Sequence, residues 1–160
     1  MKNKVKKFIL IGMLLTATGC GYKVIDDSAI NKLNIKEINS SGNKRINFKI
    51  KNSLMVEINN SINKENNLII AINTEKSKKI KEKNINNEVT KYEISITSDV
   101  MLNFLEKNEQ QKFKVTSTGD FMVGEKYSST LSNEKRLVES LSDDLFIQIK
   151  NKITIIFNDL

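Results

Sequence analysis

The sequence predicts an α/β fold, a two-layer sandwich in the order β-α-β-β-β-α with two helices on one face of a four-stranded sheet. Three periodicities carry this expectation. Apolar residues alternate through "KYEISITSDVMLNFLE", where Tyr92, Ile94, Ile96, Val100, Leu102 and Phe104 share one face, broken only by Ser98. That is the two-residue repeat of a strand with one dry side. Ile46, Ile50, Leu54, Ile58 and Ile62 recur every fourth residue, and Val138, Leu141, Leu145, Ile149, Ile153 and Ile156 advance by three or four. Both spacings place an apolar stripe along a helix. Two such helices can cover one face of a sheet.

The elements follow in order. Leu33 and Ile35 alternate with polar neighbours as a short strand, which "NSSGN" (Asn39 to Asn43) breaks. The first helix carries the Ile46 stripe, with Phe48 off it, and "NKENN" (Asn63 to Asn67) ends it. "LIIAINT" (Leu68 to Thr74) reads as the second strand. It runs into "EKSKKIKEK" (Glu75 to Lys83), in which five lysines and two glutamates surround Ile80 alone, and "NINNE" turns the chain. The third strand exposes Glu93, Ser95, Thr97, Asp99, Met101 and Asn103 on its wet face. After "KNEQQ", the pairs Phe113 and Val115, then Phe121 and Val123, alternate about Gly119, where a twist or bulge is expected. The final helix is expected from about Ser132 to Leu160, with Glu134 in its first turn where the helix dipole favours an acid.

The N-terminus belongs to a different class of segment. Lys2, Lys4, Lys6 and Lys7 precede the apolar run Phe8 to Leu15, and the small residues Ala17, Thr18 and Gly19 lead to Cys20, the one cysteine of the chain. This is the layout of a secretory signal peptide, too short for the roughly 20 residues of a membrane span. Residues 1–19 are therefore expected to be removed, 20–31 to form a lipidated N-terminus and tether, and 32–160 to form one domain. Gly19-Cys20 resembles the lipobox of bacterial lipoproteins. The resemblance implies a diacylglycerol on the Cys20 thiol and an N-acyl chain, palmitate in kind, on its amine. Two or more chains anchor a protein stably where one does not. Such lipoproteins usually carry aspartate after the cysteine when kept at the inner membrane, and Gly21 stands there instead, which points to the outer membrane.

Charge and composition exclude several functions. Of 26 basic residues four lie in residues 1–19, against none of the 19 acidic ones, so the remainder carries 22 against 19, a net +3. Most of the positive charge thus leaves with the signal, and nucleic acid is not an expected partner. There is no histidine, and the cysteine is assigned to the lipid, so histidine-based acid–base and nucleophilic devices are missing. Asp99, Asp120, Asp143 and Asp144 are read as separate surface acids, because neighbours on a helix such as Asp143 and Asp144 do not face each other. No phosphate-binding glycine loop and no metal-ligand spacing occurs. The chain reads as a binding or assembly protein, not an enzyme, with no cofactor beyond the lipid and no metal. The lysine run has two readings, a contact for phosphates or acidic head groups and a solvated strand end that blunts edge pairing. The wet face of the third strand fits bulk water or a polar protein surface equally well.

Cys20-Gly21-Tyr22, "TKYEISITSDVMLNF" with its leading Tyr92, and "YSSTLSNEKRLVESLSDDLFIQIKNKI" with Asn133-Glu134 resemble the lipopolysaccharide-assembly lipoprotein family, LptE. The resemblance implies an outer-membrane lipoprotein on the periplasmic side. It would act as plug and assembly partner inside an LptD-like β-barrel and assist lipopolysaccharide delivery to the cell surface. It also implies basic contacts to lipopolysaccharide ahead of the tyrosine strand, where Lys81 and Lys83 lie. A second contact is implied ahead of the last helix, where Leu131 aligns and Lys126 and Lys135 are near. The alternative is a general envelope-structure or adaptor lipoprotein with no lipopolysaccharide role.

Overall fold

The structure, a computed structural model, describes residues 29–59 and 65–160. The signal peptide, Cys20, Gly21, Tyr22 and Ile62 lie outside the described residues. The element order is β1 (Leu33–Gly42), α1 (Lys44–Asn59), β2 (Asn66–Lys83), β3 (Val89–Phe104), β4 (Glu109–Met122) and α2 (Tyr127–Asp159), after a 3-10 turn at Ala29–Lys32. The strands lie in the order β1-β2-β3-β4. β1 is parallel to β2, and the other two pairings are antiparallel. This is the two-layer α/β sandwich expected from the periodicities.

The dry face of β3 is as read: Ile94, Ile96, Val100, Leu102 and Phe104 are buried. Ser98 sits among them because Thr74 on β2 faces it, their hydroxyls 3.1 Å apart. A buried hydroxyl is tolerated when it finds such a partner. Ile46, Ile50, Leu54 and Ile58 of α1 and Leu141, Leu145, Ile149 and Ile153 of α2 close the core from above, joined by Ile30 of the 3-10 turn. Phe48 points to solvent, as its position off the stripe implies. Asn43 caps α1, its Oδ1 accepting the Ile46 amide at 3.2 Å.

Four boundaries and details differ from expectation. β1 does not break at Asn39 but runs to Gly42, because β2 supplies a parallel partner for each residue from Ile38 to Gly42. The polar side chains there are accommodated, with Ser41 Oγ donating to Asn73 Oδ1 at 2.9 Å. No bulge occurs at Gly119: β3 and β4 pair one to one from Lys91↔Met122 to Phe104↔Glu109. A Cβ at Gly119 would stand 2.8 Å from Leu137 Cδ1, so this glycine lets α2 approach the sheet. Finally α2 begins at Tyr127, and Glu134 lies two turns inside it rather than in the first turn. Its role there is not to meet the helix dipole but to hold two lysines. The charged segment Glu75–Lys83 is strand throughout, paired with β3 except at Lys81, with register shifts after Ile80 and after Glu82.

Candidate functional site

β1 is the short strand. Its last pair is Gly42↔Thr74, beyond which β2, β3 and β4 continue as a three-stranded tip up to Lys83, Val89 and Met122. The tip is basic because "EKSKKIKEK" forms its β2 side. It differs on its two faces, since successive side chains alternate.

On the helix side, Tyr92 and Phe121 stack with ring centroids 5.5 Å apart. Lys78 Nζ lies 4.3 Å from the Tyr92 centroid and 5.0 Å from that of Phe121, a cation–π arrangement. The same ammonium donates to Glu134 Oε2 at 2.6 Å, while Lys76 reaches Glu134 Oε1 at 3.1 Å. The Lys78 hydrogen bond, ahead of that from Lys76, holds the Glu134 carboxyl below its ordinary pKa against the opposing effect of burial. Sequence reasoning missed this cluster. The available signal was the spacing of Lys76 and Lys78, which share a strand face with the residue opposite Tyr92.

On the open side, Lys81 Nζ donates to Asp120 Oδ2 at 2.5 Å and lies 3.7 Å from Glu93 Oε2. The Asp120 hydrogen bond raises the Lys81 pKa above its ordinary value. Lys83 Nζ donates to Asn87 Oδ1 at 2.8 Å, within the β2–β3 turn. Lys126 is the extended residue before α2, and its carbonyl accepts the Ser129 and Thr130 amides. The three candidate lysines thus come to one end of the molecule. They are not equivalent, because Lys81 is already neutralised by acids on the neighbouring strands. Exposed apolar residues lie at the same end: Ile80, Ile85, Met122, Tyr127 and Leu131. Leu131 and Lys135 line a recess of about 340 Å³ with Arg45, Ile46, Lys76 and Val138.

The rest of the open face carries the wet-face residues Glu93, Ser95, Thr97, Asp99 and Asn103, with the apolar Met101 among them. Thr97 and Thr116 hydroxyls are 3.1 Å apart, Thr118 donates to Ser95 at 3.1 Å, and Lys114 pairs with Asp99 at 3.2 Å. Between these and β1 lies a trough of about 660 Å³ across all four strands, with Ala71 and Met101 in it and Asn39, Asn73, Asp99 and Lys112 around it. The other acids are dispersed: Asp143 pairs with Lys49 at 2.7 Å, and Asp144 accepts Ser117 at 2.6 Å. Among the described residues no helix is long and apolar enough to cross a membrane.

No protein-family model and no curated protein matches the chain. Its fold, however, is similar to that of solved lipoproteins. Rare lipoprotein B from Shewanella oneidensis is 16% identical, with 78% of this chain and 95% of that one covered at a TM-score of 0.50. Lipoprotein B from Nitrosomonas europaea is 15% identical, with 86% and 93% covered at a TM-score of 0.55. A minor lipoprotein from Acinetobacter baumannii is 12% identical, with 79% and 94% covered at 0.53. Nearly the whole of each of these lipoproteins is spanned, and the sheet with its two helices is the fold they share with this chain.

Proposed function

We propose that the protein is an outer-membrane lipoprotein, anchored through acyl chains on Cys20, that plugs and helps assemble an LptD-like β-barrel and assists lipopolysaccharide delivery. The observation that carries this reading is the two-sided sheet. One face is closed by helices, and the other is an open surface of hydroxyls, amides and paired charges, interrupted by the trough that holds Ala71 and Met101. Such a surface suits the polar lumen of a large barrel. The shared fold with lipoproteins and the signal-plus-cysteine layout support the anchor. The tip supports the lipopolysaccharide contact, because it sets exposed lysines beside exposed apolar side chains, as a phosphorylated lipid requires. Within it Lys83 and Lys126 are the better phosphate contacts, and Lys81 serves mainly to hold Asp120 and Glu93.

Affinity purification of a C-terminally tagged copy from its own envelope tests the partnership. The expected result is one large outer-membrane barrel in stoichiometric yield, with misassembled barrel and surface-lipopolysaccharide defects on depletion. Recovery of no barrel, with an unchanged surface on depletion, would return the protein to the adaptor reading. The anchor is tested separately: Cys20→Ser should abolish labelling by a clickable fatty acid.

A further inference from the structure

Strand edges are exposed templates for pairing with other chains, and proteins usually cover them. Here two edges are capped by helix side chains. Along β1, Asn59 Oδ1 accepts the Ile35 amide at 3.0 Å while its Nδ2 donates to Ile35 O at 3.3 Å. Lys51 donates to Ile38 O. Along β4, Gln148 donates to Thr116 O at 3.4 Å and Asn133 to Met122 O at 3.1 Å.

The distal half of β2 is treated differently. Thr74 O accepts the Asn43 amide at 2.9 Å, just after β1 ends. Thr74 therefore turns its backbone toward the β1 side. By the two-residue repeat of a strand, Lys76, Lys78 and Ile80 do the same. Among the described residues nothing pairs with these backbone groups. Beside them, where β1 would have continued, lies the recess lined by the apolar Ile46, Leu131 and Val138, by Arg45, Lys76 and Lys135, and by Asn43 and Glu134, whose carboxylate Lys76 and Lys78 already neutralise.

We propose that this edge accepts an extended acidic segment of a partner polypeptide as an added strand. Its backbone pairs with Lys76, Lys78 and Ile80, and one of its apolar side chains enters the recess. Backbone pairing gives such a mode its affinity and alternate side-chain pockets its specificity. The choice of occupant rests on charge. Of the five lysines in Glu75–Lys83, Lys76 and Lys78 are met by Glu134 and Lys81 by Asp120 and Glu93. Lys79 and Lys83 pair with no acid among the described residues and repel a second copy of the same edge, since like charges on facing strands are unfavourable. An acidic strand meets Lys79 on the open side and Lys135 on the helix side. The binding mode is independent of any lipopolysaccharide contact.

The test uses the purified full chain and an eight-residue blocked peptide alternating Glu and Val. Two further versions are N-methylated at alternate residues, one version for each edge of the peptide. Augmentation predicts that one N-methylated version binds at least tenfold more weakly and the other within twofold of the parent. The bound parent should slow amide exchange at Lys76, Lys78 and Ile80. A Lys-Val peptide should bind at least tenfold more weakly than Glu-Val. Lys79→Gln with Lys135→Gln, both exposed substitutions, should weaken binding at least fivefold. Equal binding of both N-methylated peptides, or unchanged exchange at those three amides, would overturn the proposal.

Discussion

At Gly42 the chain leaves the sheet with φ +83°, and a Cβ there would meet Thr74 O at 2.1 Å. Both the left-handed backbone and the close carbonyl demand glycine. Gly119 is under a different constraint, since its would-be Cβ meets side-chain ends rather than backbone, Leu137 Cδ1 at 2.8 Å and Leu141 Cδ2 at 3.4 Å. Gly42→Ala should therefore destabilise by about 2–4 kcal/mol and Gly119→Ala by about 1 kcal/mol, compared by urea unfolding. Glu134 supplies a pH-dependent residue effect. Its folded pKa is lowered from 4.5, first by Lys78 and then by Lys76. A lowered carboxyl binds fewer protons folded than unfolded, so its contribution is present above 4.5 and lost as pH falls through the folded value. In Glu134→Gln the stability gap to wild type should be constant near neutrality and shrink below pH 4.5, which chemical denaturation across a pH series would show. A gap that stays constant into acid would mean the lysine contacts are not made in solution.

At the scale of elements, the strongest inference concerns β3, whose side chains divide cleanly between core and open face. Ile94→Asp or Ile96→Asp would bury an unpaired charge and should abolish cooperative unfolding, a loss of several kcal/mol. Thr97→Ala, on the polar face, should change stability by roughly 0.5 kcal/mol or less. Equal responses on the two faces would contradict the layer assignment. β3 and the α2 stripe were legible in the sequence because their periodicity is local and every member faces the same core. The extent of β1 was not, since "NSSG" is held extended by β2, and the partner of Ser41 is Asn73. The role of Gly119 depends on Leu137 of a helix passing over it. Candidate lysines were found by composition, but their state was not. Lys81 is matched to Asp120, and Lys76 and Lys78 to Glu134, across tens of residues of chain.

For the whole molecule, the decisive asymmetry is between a face closed by two helices and a face left open over four strands. The polar groups of the open face largely satisfy one another, as in Thr97 with Thr116 and Asp99 with Lys114. A partner enclosing it would gain little from any one of these groups, and its binding would rest on shape matched over a wide area. Single alanines at Ser95, Thr97 or Thr118 should then weaken barrel capture by less than threefold. A bulky obstacle should act differently. Thr116→Cys carrying a polymer maleimide adduct places a large group on the exposed polar side of β4 without touching the core. Capture of the barrel by this adduct should be lost, while its unfolding midpoint and circular dichroism match those of the unmodified variant. The same adduct should still bind the Glu-Val peptide, because Thr116 is two strands away from the β2 edge. Undiminished barrel capture by the adduct would show that the open face is not the surface a barrel encloses, and the plug reading would fall with it.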